Sequence, residues 1–151
     1  MKKRLFLTLA AVLTLLPSMA QQRNTFKENQ LATFGAHISA GDGLMLGVQA
    51  QYNLDNPIRL EGRVSTLPTV FPSLIVGVND HYLFPMNQQI TLYPLVGVEA
   101  GMGWNKGYIG ANFGGGMQIE LTDDIFLTTE VTGLISNVSA GRLTVGMHYR
   151  F

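Results

Sequence analysis

The chain has 151 residues, with ten Lys and Arg balanced by ten Asp and Glu and no cysteine. That balance excludes a nucleic-acid footprint, and without cysteine no disulfide framework can form. Charged residues make up only 13% of the sequence, too few to clothe a soluble domain, whose surface is roughly 25–35% charged.

Lys2, Lys3 and Arg4 form a positive start, Leu5 to Leu16 an apolar run, and Ser18-Met19-Ala20 a small-x-small site. These are the three parts of a secretory signal peptide, expected at 1–20 with cleavage after Ala20. Pro17 ends the run short of the roughly 20 residues a membrane helix needs. Three of the ten basic residues leave with the signal, so the mature chain carries seven against ten acids, a formal charge of −3. Of its lysines only Lys27 and Lys106 remain. Residues 21–30 read as a polar N-terminal tail, and 31–151 as one domain.

From about Leu31 the dominant period is two, the signal of β-strands. A weaker strand is expected near 31–40. The clearest one puts Leu44, Leu46, Val48, Ala50, Tyr52 and Leu54 on one face and Met45, Gly47, Gln49, Gln51 and Asn53 on the other. Asp55-Asn56-Pro57 makes a turn, and Ile58, Leu60, Gly62 and Val64 then alternate with Arg59, Glu61, Arg63 and Ser65. Another weak strand falls near 73–84. Ile90 to Trp104, Ile109 to Leu121, Ile125 to Thr132 and Arg142 to Phe151 repeat the arrangement, which makes eight strands.

Eight strands of about 9–11 residues each suit a tilted membrane crossing and bring both ends of the barrel chain to one side. Turns are expected at 55–57, 85–88 and 122–124, with opposite loops near 41–43, 67–72, 105–107 and 135–141. All are short, which argues against a large recognition surface.

Alternation alone also fits a soluble lipocalin-like barrel around a small apolar ligand. The polar face decides against it. It carries Arg59, Arg63, Arg142 and Arg150 with Glu61, Glu99, Glu120 and Glu130, a balanced set suited to pairing in a narrow lumen and free of the lysines of a solvated exterior. Aromatic residues gather at strand ends: Tyr52, Tyr82, Phe84, Tyr149 and Phe151 at one edge, Phe71, Trp104 and Tyr108 at the other. Such girdles mark membrane interfaces.

The signal segment, the Tyr149-Arg150-Phe151 ending and the eight amphipathic strands resemble the small outer-membrane β-barrel proteins, over essentially all of residues 28–151. This group includes the opacity-type proteins and the transmembrane domain of outer membrane protein A. The resemblance implies an eight-stranded antiparallel up-and-down transmembrane barrel in a bacterial outer membrane. It also implies that Phe151 belongs to the signal read by the barrel-assembly machinery. Outer-membrane lipid is the expected surrounding and a monomer the expected state. Without a following peptidoglycan-binding domain, and with short loops, neither wall anchoring nor adhesion is expected.

The segments Leu46-Gly47-Val48, Val76-Gly77-Val78 and Val96-Gly97-Val98 share a pattern in which glycine faces inward, where it eases curvature. Asp80 takes a lipid-facing place in this register, so a bulge or the membrane edge is expected beside it.

The inward Arg and Glu read as structural ion pairs, because an eight-stranded barrel has room only for its own side chains. Arg59, Glu120 and Arg150 are expected to cluster at the periplasmic end, and Glu61, Arg63, Glu99 and Glu130 nearer the middle. The alternatives are a narrow passive channel or a lipid-modifying enzyme. For the latter, His37-Ile38-Ser39 with His148 offers the residue types of nucleophilic catalysis, in a His-x-Ser pair similar to the lipid A deacylase motif but with its phase pointing inward. No enzyme activity is expected, and no cofactor. The histidines 37, 81 and 148 lie too far apart to announce a metal site. Asn137-Val138-Ser139 reads as an ordinary loop, Asp123-Asp124 as a turn, and Gly114-Gly115-Gly116 lacks the strand-to-helix setting of a phosphate loop. The role expected is structural or at the envelope surface, without an open pore.

Overall fold

The computed structural model describes residues 32–41, 43–54, 57–68, 73–103, 106–137 and 139–151. The expected signal peptide and tail, and the girdle residues Phe71 and Trp104, lie outside them. The strands are β1 (Ala32–Ala40), β2 (Leu44–Asn53), β3 (Ile58–Thr66), β4 (Ser73–Tyr82, continued by Phe84–Pro85), β5 (Ile90–Gly103), β6 (Lys106–Glu120), β7 (Ile125–Ile135) and β8 (Ala140–Arg150). Each pairs antiparallel with its sequence neighbours, and β1 pairs with β8 to close the barrel. All eight expected strands are present, joined at 54–57, 86–89 and 121–124 at one end. Both the start of β1 and the end of β8 lie at that end, called here the terminal end. The opposite end is called the loop end.

The pairing fixes the tilt of the strands. A walk straight across the ladders from Ala140 passes Leu134, Asn112, Gly97, Asn79, Glu61, Gln51 and Thr33 and returns to β8 at Arg150, ten residues further along. Such a stagger goes with strands inclined by roughly 35–45° to the barrel axis.

Alternation then sorts the side chains. Phe34, Val48, Leu60, Val78, Val98, Phe113, Val131 and Val145 are among the residues left exposed on the exterior, while Gln49, Glu61, Asn79, Glu99, Asn112, Glu130 and Thr144 are buried inside. An apolar outer wall around a polar core inverts the arrangement of a soluble domain and is that of a membrane barrel. Tyr52, Tyr149 and Phe151 are exposed near the terminal end, with Tyr82 and Phe84 half-buried beside them.

Of the two alternatives expected beside Asp80 the bulge is absent, and one girdle expectation is corrected. The β4 to β5 register runs without offset from His81 opposite Leu95 to Phe84 opposite Leu92, so no bulge adjoins Asp80. The ladder is interrupted over two positions, where Pro94, which has no N–H to give, falls opposite Tyr82 and where Leu83 falls opposite Tyr93 and donates its N–H to Pro57 O at 2.8 Å instead. Asp80 is exposed on the outer face, two residues from Tyr82 at the aromatic edge. Tyr108 belongs to no girdle. It turns into the lumen, where its hydroxyl bonds to Glu99.

Inward glycines do more than ease curvature. A Cβ at Gly116 would stand 2.6 Å from Tyr93 Cζ, one at Gly35 2.9 Å from the His148 ring, and one at Gly77 3.3 Å from the Arg63 side chain. Each glycine is the space that a large inward side chain of a neighbouring strand occupies, a requirement of close approach.

Candidate functional site

The lumen holds the polar residues that alternation directs inward, and they sort into three groups along the axis. In the middle, Arg63 on β3 binds Glu61 of its own strand and reaches across to Glu130 on β7, with Nη2 to Oε2 at 2.6 Å. Gln51 donates to Glu61 Oε2 at 2.8 Å and Asn79 to Oε1 at 3.1 Å, while Tyr93 donates its hydroxyl to Glu130 Oε1 at 2.9 Å. The exposure of Glu61 is 0% and of Glu130 1%, so these bonds replace the whole hydration of both carboxylates.

At the terminal end, Arg150 donates to Glu120 Oε2 at 2.6 Å and lies 4.5 Å over the Phe126 ring, which stacks on His148. At the loop end, Arg142 binds Glu99, joined by Tyr108. This corrects the expected grouping: Glu99 belongs with Arg142 and not with the central cluster, because it lies at the outer part of the long β5. Arg59 also departs from the grouping. It bonds to Gln118 and, through Nε at 3.2 Å, to His81 Nδ1, and it sits 4.9 Å over the Tyr93 ring. Among the described residues no carboxylate lies within ion-pair distance of it.

Among these eight described lumen residues, four Arg and four Glu, charge is balanced. Arg63 serves two carboxylates, Arg142 and Arg150 one each, and Arg59 supplies the remaining positive charge. Paired and hydrogen-bonded burial of this kind is the condition under which ionised groups persist inside a protein.

The catalytic grouping considered from sequence does not assemble. His37 Nε2 lies 2.8 Å from Ser65 Oγ rather than on Ser39, and Ser39 Oγ lies 2.8 Å from Thr144 Oγ1. His148 contacts Gln49 and Thr128. All are buried in the lumen, away from the lipid-facing wall. His81, Glu61 and Glu130 do meet, with ligand-type atoms within 4.8 Å of one another. Sequence spacing could not show this, since each comes from a different strand. Arg63 already engages both carboxylates there, so a cation would have to compete with it.

Sequence reasoning also missed Tyr93, which touches Glu130, His81 and Arg59 at once. Its phase was readable, because it follows Thr91 by two on the inward side of β5. Between the two ends the inward side chains are almost wholly buried. A cavity of about 320 Å³ opens at the terminal end, with Arg59, Glu120, Phe126 and Arg150 in its wall.

No family model and no curated protein matches the sequence. Solved structures do. The N-terminal β-barrel domain of Pseudomonas aeruginosa OprF aligns with a TM-score of 0.73 at 14% identity, covering 81% of this chain and 98% of that one. Neisserial surface protein A aligns at 0.60 and 14% identity, covering 80% and 94%. Ail, the attachment invasion locus protein of Yersinia pestis, aligns at 0.54 and 15% identity, covering 81% and 97%. At such identities the likeness is one of fold: that of small outer-membrane β-barrels.

Proposed function

We propose that this chain is a small integral outer-membrane β-barrel that serves the envelope structurally and through its surface, with no open pore. The observation that carries this reading is the filled lumen inside an apolar wall. The wall suits lipid, and the interior is occupied by a charge-balanced network that leaves no room for a conduit. In this reading the terminal end faces the periplasm, as in barrels whose short turns lie on that side.

Phe151, 72% exposed at the end of β8, is the residue offered to the barrel-assembly machinery, and the protein works as a monomer surrounded by outer-membrane lipid. The short loops favour a structural contribution over protein recognition. Ail is an attachment protein by name; the short loop segments of this sequence give little surface for such a task.

The reading is tested in two steps. In the outer-membrane fraction the unboiled protein should migrate differently from the boiled one on an SDS gel. Reconstituted into planar bilayers, it should then give no steady conductance. A soluble, heat-insensitive band, or stable ion-conducting steps, would refute it.

A further inference from the structure

Inward side chains fill the middle of the lumen, and at the terminal end they stand back around the cavity of about 320 Å³. That volume falls at the low end of the roughly 300–1,000 Å³ of small-molecule sites, which leaves room for one ring-sized ligand. We infer that this vestibule is a binding site for a neutral polyol the size of a single sugar ring, held at the Thr91 hydroxyl.

The wall decides the charge of the ligand. Two guanidiniums, Arg59 and Arg150, line it together with two carboxylates, Glu120 and Asp123. Arg150 is spent on Glu120, and Gln118 Nε2 donates to the same carboxylate at 2.5 Å. Arg59 is held by Gln118 and His81 and supplies the charge that balances the central carboxylates. Asp123 has a partner as well. An ion of either sign would give up hydration for a wall in which each charge is already met. A neutral ligand has no such cost.

One buried polar group in this wall is left over. Thr91 lines the cavity from β5, is 5% exposed and, among the described residues, makes no side-chain hydrogen bond. A hydroxyl both gives and accepts, and another hydroxyl is its simplest complement. The ladder neighbours of Thr91 are Pro85 on β4 and Gln118 on β6. Pro85 and Leu83 line the cavity too, so an apolar surface adjoins the unpaired hydroxyl. A sugar ring answers both, with a C–H face for the first and hydroxyls for the second. A purely apolar solute would leave Thr91 unpaired.

The inference is independent of the envelope reading and is tested on purified barrel in an amine-oxide detergent, which carries no sugar. Methyl β-glucopyranoside, acetate and methylammonium are titrated while the Thr91 backbone and Gln118 side-chain amide resonances are followed by NMR. The glucoside should shift both saturably, and each ion should bind at least about tenfold more weakly. Thr91→Val, which keeps the shape and removes the hydroxyl, should weaken the glucoside about two- to tenfold, as loss of one neutral hydrogen bond requires. Thr91→Ser should retain binding. The comparison of ligands on the unaltered barrel decides without any variant. An ion binding as tightly as the glucoside, glucoside binding unchanged in Thr91→Val, or no saturable shift would each overturn the assignment.

Discussion

The ring of Tyr93 lies against Gly116 so closely that a Cβ added at residue 116 would stand 2.6 Å from Cζ and 2.7 Å from the hydroxyl oxygen. That hydroxyl is the donor to Glu130, so the glycine on β6 positions a polar bond made on β7. Gly116→Ala should therefore cost about 1–3 kcal/mol, the range for overpacking, measured by urea unfolding in lipid vesicles. The double variant with Tyr93→Leu should cost less than the sum of the two single variants, since the clash is gone. Strict additivity would mean the two residues do not interact.

Arg63 is shared by two buried carboxylates, and this makes the cluster asymmetric. Arg63→Met leaves Glu61 and Glu130 close together without a cation and should cost about 3–5 kcal/mol. Glu130→Leu leaves Arg63 with Glu61 and should cost clearly less. The two variants compared by urea titration check this, and a larger loss for Glu130→Leu would contradict the sharing.

On the outer wall Phe113 covers Gly133, where a Cβ would stand 2.8 Å from the ring. Such aromatic cover of a strand glycine is a cross-strand pairing in which the ring protects backbone. Phe113→Ala should lower vesicle stability by up to about 1 kcal/mol beyond the same change at Phe34, which stands opposite Ala50 and Tyr149, given pair energies of roughly 0.2–1 kcal/mol. Equal losses at both sites would remove the pairing term.

Asp80 is an acid on a wall made for lipid, two residues from Tyr82. Acids there are penalised less than Arg or Lys, and little near the interface. Asp80→Leu should therefore stabilise the barrel by about 1 kcal/mol or less, again by urea unfolding. A destabilised variant would show that Asp80 has a favourable partner.

The wall was legible in the sequence because alternation is local: Leu44 to Leu54 and Ile109 to Leu121 report their own faces. The same alternation could have assigned Tyr93 and Tyr108 inward, yet aromatic character pulled Tyr108 towards the girdle and left Tyr93 unassigned. Pairing inside the lumen was legible only in part. Which Arg meets which Glu depends on the ten-residue stagger, and that stagger is a property of the closed barrel. It carries Arg142 to Glu99, and it leaves Arg59 beside Gln118 and His81. The cluster of Glu61, His81 and Glu130 was invisible for the same reason, since three strands contribute one residue each.

The central claim is that the apolar face is outside and in contact with lipid. Because the chain has no cysteine, single cysteines at Val98 on the wall and Thr144 in the lumen can carry nitroxide labels without a background. In reconstituted vesicles the label at Val98 should be relaxed by oxygen, which partitions into the bilayer, and hardly by a water-soluble nickel chelate; the label at Thr144 should be shielded from oxygen. The reverse pattern, with Val98 open to the chelate, would mean that the wall faces water and would contradict the account.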